Sequence, residues 1–86
     1  MEFEYDPVKS ASNKRKHGID FIDAQAIWAD VDRLEIPGIS KDEPRALVIG
    51  RVNDKCWTAV VTNRADKVRI ISVRRSRSGE IKLYES

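Results

Sequence analysis

The chain has 86 residues, of which 41% are hydrophobic and 35% charged, and its formal net charge is +2. This composition is typical of one small globular domain spanning residues 1–86, and it excludes an intrinsically disordered chain. No run approaches the roughly 20 apolar residues of a membrane span, and the acidic residues 1–6 do not resemble a secretory signal, so we expect a cytoplasmic protein with no membrane association. The single cysteine, Cys56, excludes an internal disulfide and a multi-cysteine metal site.

Charge is distributed unevenly along the sequence. Residues 1–43 carry six Lys/Arg and ten Asp/Glu, a net charge of −4, whereas residues 44–86 carry ten and four, a net charge of +6. A basic half within one small domain predicts a positive surface that attracts phosphate groups. Charge alone is also consistent with a solvated surface that binds nothing, so it indicates nucleic acid only as a candidate partner.

The first 18 residues predict a short strand and a helix. Residues 2–5 form the strand, and Asp6-Pro7 is a typical helix start, with Asp as the N-cap and Pro at the first helical position. The helix spans residues 7–16 and ends before Gly18, which suits the left-handed position after a helix. We expect Val8 and Ala11 on this helix to face inward.

A second helix is predicted to begin at Asp20, whose side chain can accept hydrogen bonds from the first turn. Apolar residues follow at helical spacing and should form a buried stripe. The stripe consists of Phe21, Ala24, Ile27 and Trp28.

The rest of the chain predicts strands separated by short turns, at residues 33–36, 45–52, 56–62 and 68–75, and a short last helix at residues 79–85. Closely spaced turn signals favour a meander of antiparallel hairpins. The predicted fold class is therefore α+β, with two N-terminal helices packed on one face of an antiparallel meander. The other face of the sheet is left open and would serve as a platform for RNA.

Lys16 and His17, at the end of the first helix, are the first candidates for chemistry. Histidine side chains titrate near neutral pH, so the only histidine of the chain is a candidate general acid or base. The alternative is structural, because a Lys-His pair at a helix C-terminus interacts favourably with the helix dipole.

The predicted last strand carries the second group of candidates, Arg69, Arg74 and Arg75. Arginine suits phosphate because its planar guanidinium group donates paired hydrogen bonds and stays charged. Strict alternation places Arg69 and Arg75 on one face of the sheet and Arg74 on the other. The alternative is that these arginines are edge charges that prevent aggregation.

A third candidate is Tyr84, which a helix would place on the same side as Glu80. Tyrosine has an ordinary pKa of about 10, so it is a weaker candidate base than His17 unless nearby arginines lower that pKa. Acidic residues cluster between positions 20 and 32, but without the spacing of metal ligands. We therefore expect neither a metal nor another cofactor.

The order and spacing of several short motifs resemble the BrnT toxins of BrnT–BrnA type II toxin–antitoxin systems. The resemblance covers nearly the whole chain and rests on Tyr5-Asp6-Pro7 with Lys9 and Asn13, Lys16-His17-Gly18 with Phe21 and Ala24, Arg45 with Ile49-Gly50, the stretch from Arg69 to Arg75, and Glu80 with Tyr84. It implies a RelE-like microbial ribonuclease fold, RNA cleavage and inhibition of translation. It also implies a BrnA-like antitoxin with a DNA-binding domain. The toxin and antitoxin would form a complex, including a higher-order form, that binds operator DNA through the antitoxin.

Combining the residues with the resemblance, we predict a metal-independent endoribonuclease that is the toxin of such a system. The candidate catalytic residues are Lys16, His17, Arg69, Arg74, Arg75 and Tyr84. The candidate RNA-binding residues are Arg45, Arg64, Lys67 and Arg77. The alternative is a non-enzymatic nucleic-acid-binding module that uses the same basic sheet face, and a third interpretation is an interaction domain that receives an acidic partner.

Overall fold

Residues 1–38 and 44–86 are described by a computed structural model of the chain. In these two ranges the chain forms five strands, two α-helices and one 3₁₀ helix. In chain order they are β1 (Glu2–Glu4), α1 (Pro7–His17), the 3₁₀ helix (Asp23–Ala29), β2 (Leu34–Pro37), β3 (Arg45–Val52), β4 (Lys55–Arg64), β5 (Lys67–Arg75) and α2 (Ser78–Glu85). The α+β class is thus confirmed, and none of the described helices is long and apolar enough to cross a membrane.

The strands form one mixed sheet in the order β1-β5-β4-β3-β2. Strands β2 to β5 pair antiparallel, as the predicted meander requires. The prediction of an entirely antiparallel sheet is wrong at β1, which pairs parallel with β5. A parallel pair needs a long connection, and α1 with the strands that follow it supplies one.

Helix α1 begins and ends as its sequence predicts. The Asp6 carboxylate accepts a hydrogen bond from the backbone N–H of Val8 at 2.9 Å. At the other end Gly18 adopts a φ of 85°, a left-handed conformation that favours glycine.

The inward side of α1 is polar, so the prediction that Val8 and Ala11 face inward is wrong. Val8 is 74% exposed and Ala11 is exposed as well, whereas Ser10 and Asn13 are buried. The helix packs against backbone groups of β5 and of the segment after α1. These groups need hydrogen-bond partners when they are buried, and apolar side chains cannot supply them.

The predicted second α-helix is a turn followed by a 3₁₀ helix, so the arrangement with two N-terminal α-helices is also wrong. The Asp20 carboxylate still accepts hydrogen bonds from the next turn, at 3.0 Å from Ile22 N and 2.7 Å from Asp23 N. A Cβ atom on Gly50 of β3 would lie 2.9 Å from the Ile27 side chain. Glycine at position 50 therefore lets the 3₁₀ helix lie directly on the sheet.

The core lies between one face of the sheet and the layer formed by α1 and the 3₁₀ helix. We call this the inner face and the opposite one the outer face. The buried stripe predicted after Asp20 is confirmed at Phe21, Ala24 and Ile27, while Trp28 is half-buried against Phe3 with ring centroids 4.9 Å apart. The main hydrophobic cluster consists of Ile19, Phe21, Ala24, Ile27, Val48, Trp57, Ala59, Val61, Val68, Ile70 and Val73.

Candidate active site and nucleic-acid interface

A β-bulge in β5 decides which arginines share a face. Val60 of β4 pairs with Ser72 and Val61 with Ile70, so Ile71 is an extra residue without a partner. An extra residue inverts the alternation beyond it. Arg69 and Arg74 therefore share the outer face, and the prediction that Arg69 shares a face with Arg75 is wrong.

Four predicted RNA-contacting or catalytic residues come together at one end of the outer face. Arg45, Thr62 and Arg69 are aligned across β3, β4 and β5, and Arg64 pairs with Lys67 two positions further along, on the same face. Neighbouring strands lie about 4.8 Å apart, so the Cα atoms of Arg45 and Arg69 are separated by roughly 10 Å. We call this group the basic cluster; its members are Arg45, Arg64, Lys67 and Arg69.

Acidic residues of β1 lie beside this cluster. Arg69 Nη1 is 3.8 Å from Glu4 Oε1, and Lys67 Nζ is 4.0 Å from Glu2 Oε2. These ion pairs are long and their side chains are about a third or more exposed, so each contributes little to stability. A phosphate group can compete for both cations.

Lys16 and His17 lie at a small pocket between α1 and the bulge of β5. The pocket has a volume of about 180 Å³ and is lined by Lys9, Ser12, Asn13, Lys16, His17, Ile71 and Ser72. We call it the α1–β5 pocket. It thus gathers two lysines, the only histidine and two hydroxyl groups, and it shares Ser72 with the outer face.

The sequence predictions missed Lys9, Ser12 and Ser72 as members of this pocket. Lys9 and Ser12 precede Lys16 by seven and four residues, a spacing that places all three on one stripe of a helix. That spacing was a usable signal. The approach of Ser72 depends on the bulge, whose only trace in the sequence is the break of alternation at Ile70-Ile71.

Arg74, a candidate for phosphate contact, lies between the sheet and α2. Its Nη1 and Nη2 atoms donate to Oε1 and Oε2 of Glu80, both at 2.8 Å. Thr58 Oγ1 donates to Glu80 Oε1 at 3.0 Å, and the backbone N–H of Arg77 donates to the same oxygen at 2.8 Å. The hydrogen bonds from Arg74, followed by those from Arg77 and Thr58, outweigh burial and lower the pKa of Glu80 to about 2.

Tyr84 is fastened at the other end of α2. Its hydroxyl donates to Oδ2 of Asp30, which also accepts from the backbone N–H of Arg51 at 2.8 Å. The hydrogen bond to Asp30, together with burial, raises the pKa of Tyr84 to about 12. The tyrosine is therefore a protonated hydrogen-bond donor at neutral pH, and the nearby arginine does not lower its pKa below the ordinary value.

The two remaining candidates, Arg75 and Arg77, are exposed and lie away from the basic cluster. Arg75 stands over the ring of Trp57 on the inner face, with its guanidinium carbon 5.5 Å from the ring centroid. Arg77 occupies the N-cap position of α2. Among residues 1–38 and 44–86, no three or more His, Cys, Asp or Glu side chains form a group that could hold a metal ion.

These features define a class: small α+β proteins with a basic, partly open sheet face suited to phosphate ligands. The family model described as ribonuclease toxin, BrnT, of type II toxin–antitoxin system matches residues 5–80, and the chain belongs to this family. The match includes α1, the sheet from β2 to β5 and Glu80, while Tyr84 lies beyond it. No curated protein matches the chain.

Proposed function

We propose that the chain is a metal-independent endoribonuclease toxin and that it cleaves RNA at the α1–β5 pocket. The observation that carries this proposal is that Lys9, Lys16 and His17 meet at one small pocket that shares Ser72 with the outer face. The family supplies the reaction class. The pocket supplies a titratable side chain and positive charge, which cleavage without a metal requires.

RNA carries its own nucleophile, the 2′-hydroxyl group. In the proposed reaction the His17 imidazole takes the 2′-proton, the 2′-oxygen forms a bond to phosphorus, and the bond from phosphorus to the 5′-oxygen breaks. The ammonium groups of Lys9 and Lys16 stabilise the negative charge that develops on the phosphate, and one of them gives a proton to the leaving 5′-oxygen. The products are a 2′,3′-cyclic phosphate and a 5′-hydroxyl end.

The basic cluster would bind the RNA backbone next to the cleaved phosphate, with Arg77 as a further contact near α2. Arg69 of the cluster and Ser72 of the pocket are both on β5 and both face outward. RNA bound at the cluster could therefore extend along β5 to the pocket. Arg74 and Tyr84 enter this proposal as residues that hold α2 on the sheet. Arg75 lies on the inner face and has no role in it.

The resemblance to BrnT toxins also leads us to propose a RelE-like fold and inhibition of translation in the cytoplasm. The layer of α1 and the 3₁₀ helix on the inner face of a largely antiparallel sheet supports the proposed fold. Cleavage of messenger or ribosomal RNA would account for the effect on translation.

Cleavage of an RNA oligonucleotide in excess chelator tests the enzyme proposal. We expect the wild-type chain to cleave it and His17→Gln to lose at least about a hundredfold in rate, the low end of what general acid–base catalysis contributes. Arg15→Gln is the matched control, because Arg15 is exposed on the same helix and does not line the pocket. Loss of wild-type cleavage in chelator would contradict metal independence, and undiminished cleavage by His17→Gln would move the site elsewhere. Binding of RNA without cleavage would favour the non-enzymatic module.

Membership of a type II toxin family implies a protein antitoxin. We propose that it is BrnA-like, carries a DNA-binding domain, and lays an acidic segment over the basic cluster. The half-buried Leu47 and Val60 lie on the same face and offer apolar contacts between the cations. The proposed complex, including a higher-order form, binds operator DNA through the antitoxin.

Co-expression with the neighbouring open reading frame tests the partner proposal. We expect a complex that survives moderate salt and that no longer binds RNA, because both ligands use the outer face. Arg69→Glu should weaken the complex, whereas Arg15→Glu, a control with the same change of charge on α1, should not. A complex that still binds RNA as the free toxin does would place the antitoxin on another surface.

A further inference from the structure

The free edge of β5 is completed by a side chain. β1 pairs with β5 only at residues 67–69, and further along the same strand the Asn13 amide takes the position of a strand neighbour. Asn13 Nδ2 donates to Val73 O at 2.9 Å, and Val73 N donates to Asn13 Oδ1 at 3.2 Å. A pair of residues that exchange both N–H···O bonds is the unit of an antiparallel ladder, so the amide imitates a peptide group.

The same amide also fixes the segment that follows α1. Asn13 Nδ2 donates a second hydrogen bond to Ile19 O at 2.8 Å. Asn13 is only 6% exposed, and removing its amide leaves Val73 N, Val73 O and Ile19 O without these partners, which carries a free-energy cost. One side chain therefore ties α1 to β5, sixty residues away in sequence, and to the segment after the helix.

Lys16 and His17 follow Asn13 by three and four residues, which places them one turn further along the same stripe of α1. Val73 follows Ile71 and Ser72, the residues of β5 that line the pocket. The amide thus fixes how far along β5 the end of α1 lies. It thereby sets the separation between His17 and the bulge.

We propose that Asn13 is a positioning residue for the ribonuclease site: through its hydrogen bonds to Val73 it holds His17 and Lys16 over the bulge of β5. This inference rests on the proposed function of the α1–β5 pocket. The alternative is a purely structural role, in which the amide contributes to stability and to nothing else.

Ser10 provides a matched control. It lies on the same helix, is also 6% exposed, and its Oγ accepts a hydrogen bond from Phe21 N at 2.9 Å. That bond joins α1 to the segment after it but makes no contact with β5. Ser10→Ala therefore removes a buried hydrogen bond without releasing the edge of the sheet.

The test compares Asn13→Ala and Ser10→Ala at a temperature where both variants are folded. We expect Asn13→Ala to lower kcat for RNA cleavage by ten- to a hundredfold with KM changed less than about threefold, because small misplacement of a reacting group affects mainly the chemical step. Ser10→Ala should lower the melting temperature but keep kcat within about twofold of wild type. If Asn13→Ala does not fold, Asn13→Ser replaces it, with the same expected split between kcat and KM.

A measurement independent of cleavage separates this inference from the proposed function. We expect nuclear Overhauser contacts between the end of α1 and residues 71–72 to be lost in Asn13→Ala and retained in Ser10→Ala. Retention of these contacts in Asn13→Ala, or a loss of kcat no greater than that in Ser10→Ala, would overturn the inference. If the contacts are lost but His17→Gln cleaves RNA normally, the proposed site fails while the effect of Asn13 on the helix stands.

Discussion

Arg74 and Glu80 show how a single contact changes the expected role of a residue. The sequence predicted that Arg74 contacts phosphate, and removal of an exposed arginine usually changes stability by less than about 0.5 kcal/mol. In the structure the two side chains are only 22% and 12% exposed and are joined by paired hydrogen bonds. Removing one partner from such a mostly buried pair costs about 3 kcal/mol or more, so Arg74→Ala should destabilise the fold whatever it does to cleavage.

The pKa of Glu80 makes this contact measurable through pH. Folding lowers that pKa from its ordinary 4.5 to about 2, so the contact stabilises the fold above pH 4.5 and is lost as the pH falls toward 2. We expect Glu80→Gln to be less stable than wild type by about 2–3 kcal/mol at neutral pH, and this difference to shrink between pH 4.5 and 2. Urea denaturation at a series of pH values measures it.

Glu85→Gln is the control for that titration. Glu85 lies on the same helix, and its ion pair with Arg51 is 3.9 Å long with both side chains more than half exposed. We expect its substitution to leave the unfolding free energy nearly unchanged across the same pH range. A constant difference between wild type and Glu80→Gln down to pH 2 would mean that Arg74 does not stabilise the Glu80 carboxylate.

At the scale of elements, the sequence predicted the features that depend on contacts between residues close in sequence, such as strand bounds and helix ends. β3 has the predicted bounds, Arg45–Val52, because a run rich in apolar and β-branched residues lies between Pro44 and the Asn53-Asp54 turn. The start and end of α1 were also predictable, since Asp6 and Gly18 act within one turn of the helix. Lys16 and His17 were predicted at the end of this helix for the same reason, and they lie in its last turn.

Features set by distant contacts were not predictable from the sequence alone. The inward side of α1 is polar because Asn13 bonds to Val73, and α2 lies on the outer face because Arg74 holds its first turn and Asp30 its last. Neither contact leaves a periodic signal, and α2 buries none of its own residues fully. The bulge at Ile71 reassigns the faces of β5, and its trace in the sequence is that the buried residues Val68, Ile70 and Val73 are spaced by two and then by three.

At the scale of the whole molecule, folding redistributes the charge that the sequence divides between its halves. Strand β1 belongs to the acidic half, but its Glu2 and Glu4 lie beside Lys67 and Arg69 of the basic half. The net charge of +6 on residues 44–86 therefore overstates the positive potential near β1. At Arg45, on the other side of β4, the structure gives no acidic side chain within ion-pair distance among the described residues. The binding of RNA should depend on this local distribution more than on the net charge.

The salt dependence of RNA binding tests that expectation. Each phosphate contact on a single strand contributes about −0.7 to the slope of log K against log salt concentration, so Arg45→Ala and Arg69→Ala should each reduce the slope by about that amount. Binding is measured between about 50 and 200 mM salt in a His17→Gln background, which keeps the RNA intact. Lys82→Ala is the control, because Lys82 is exposed on α2 and its loss changes the net charge equally. If Lys82→Ala reduces the slope as much as Arg45→Ala does, the basic cluster is not the specific RNA interface.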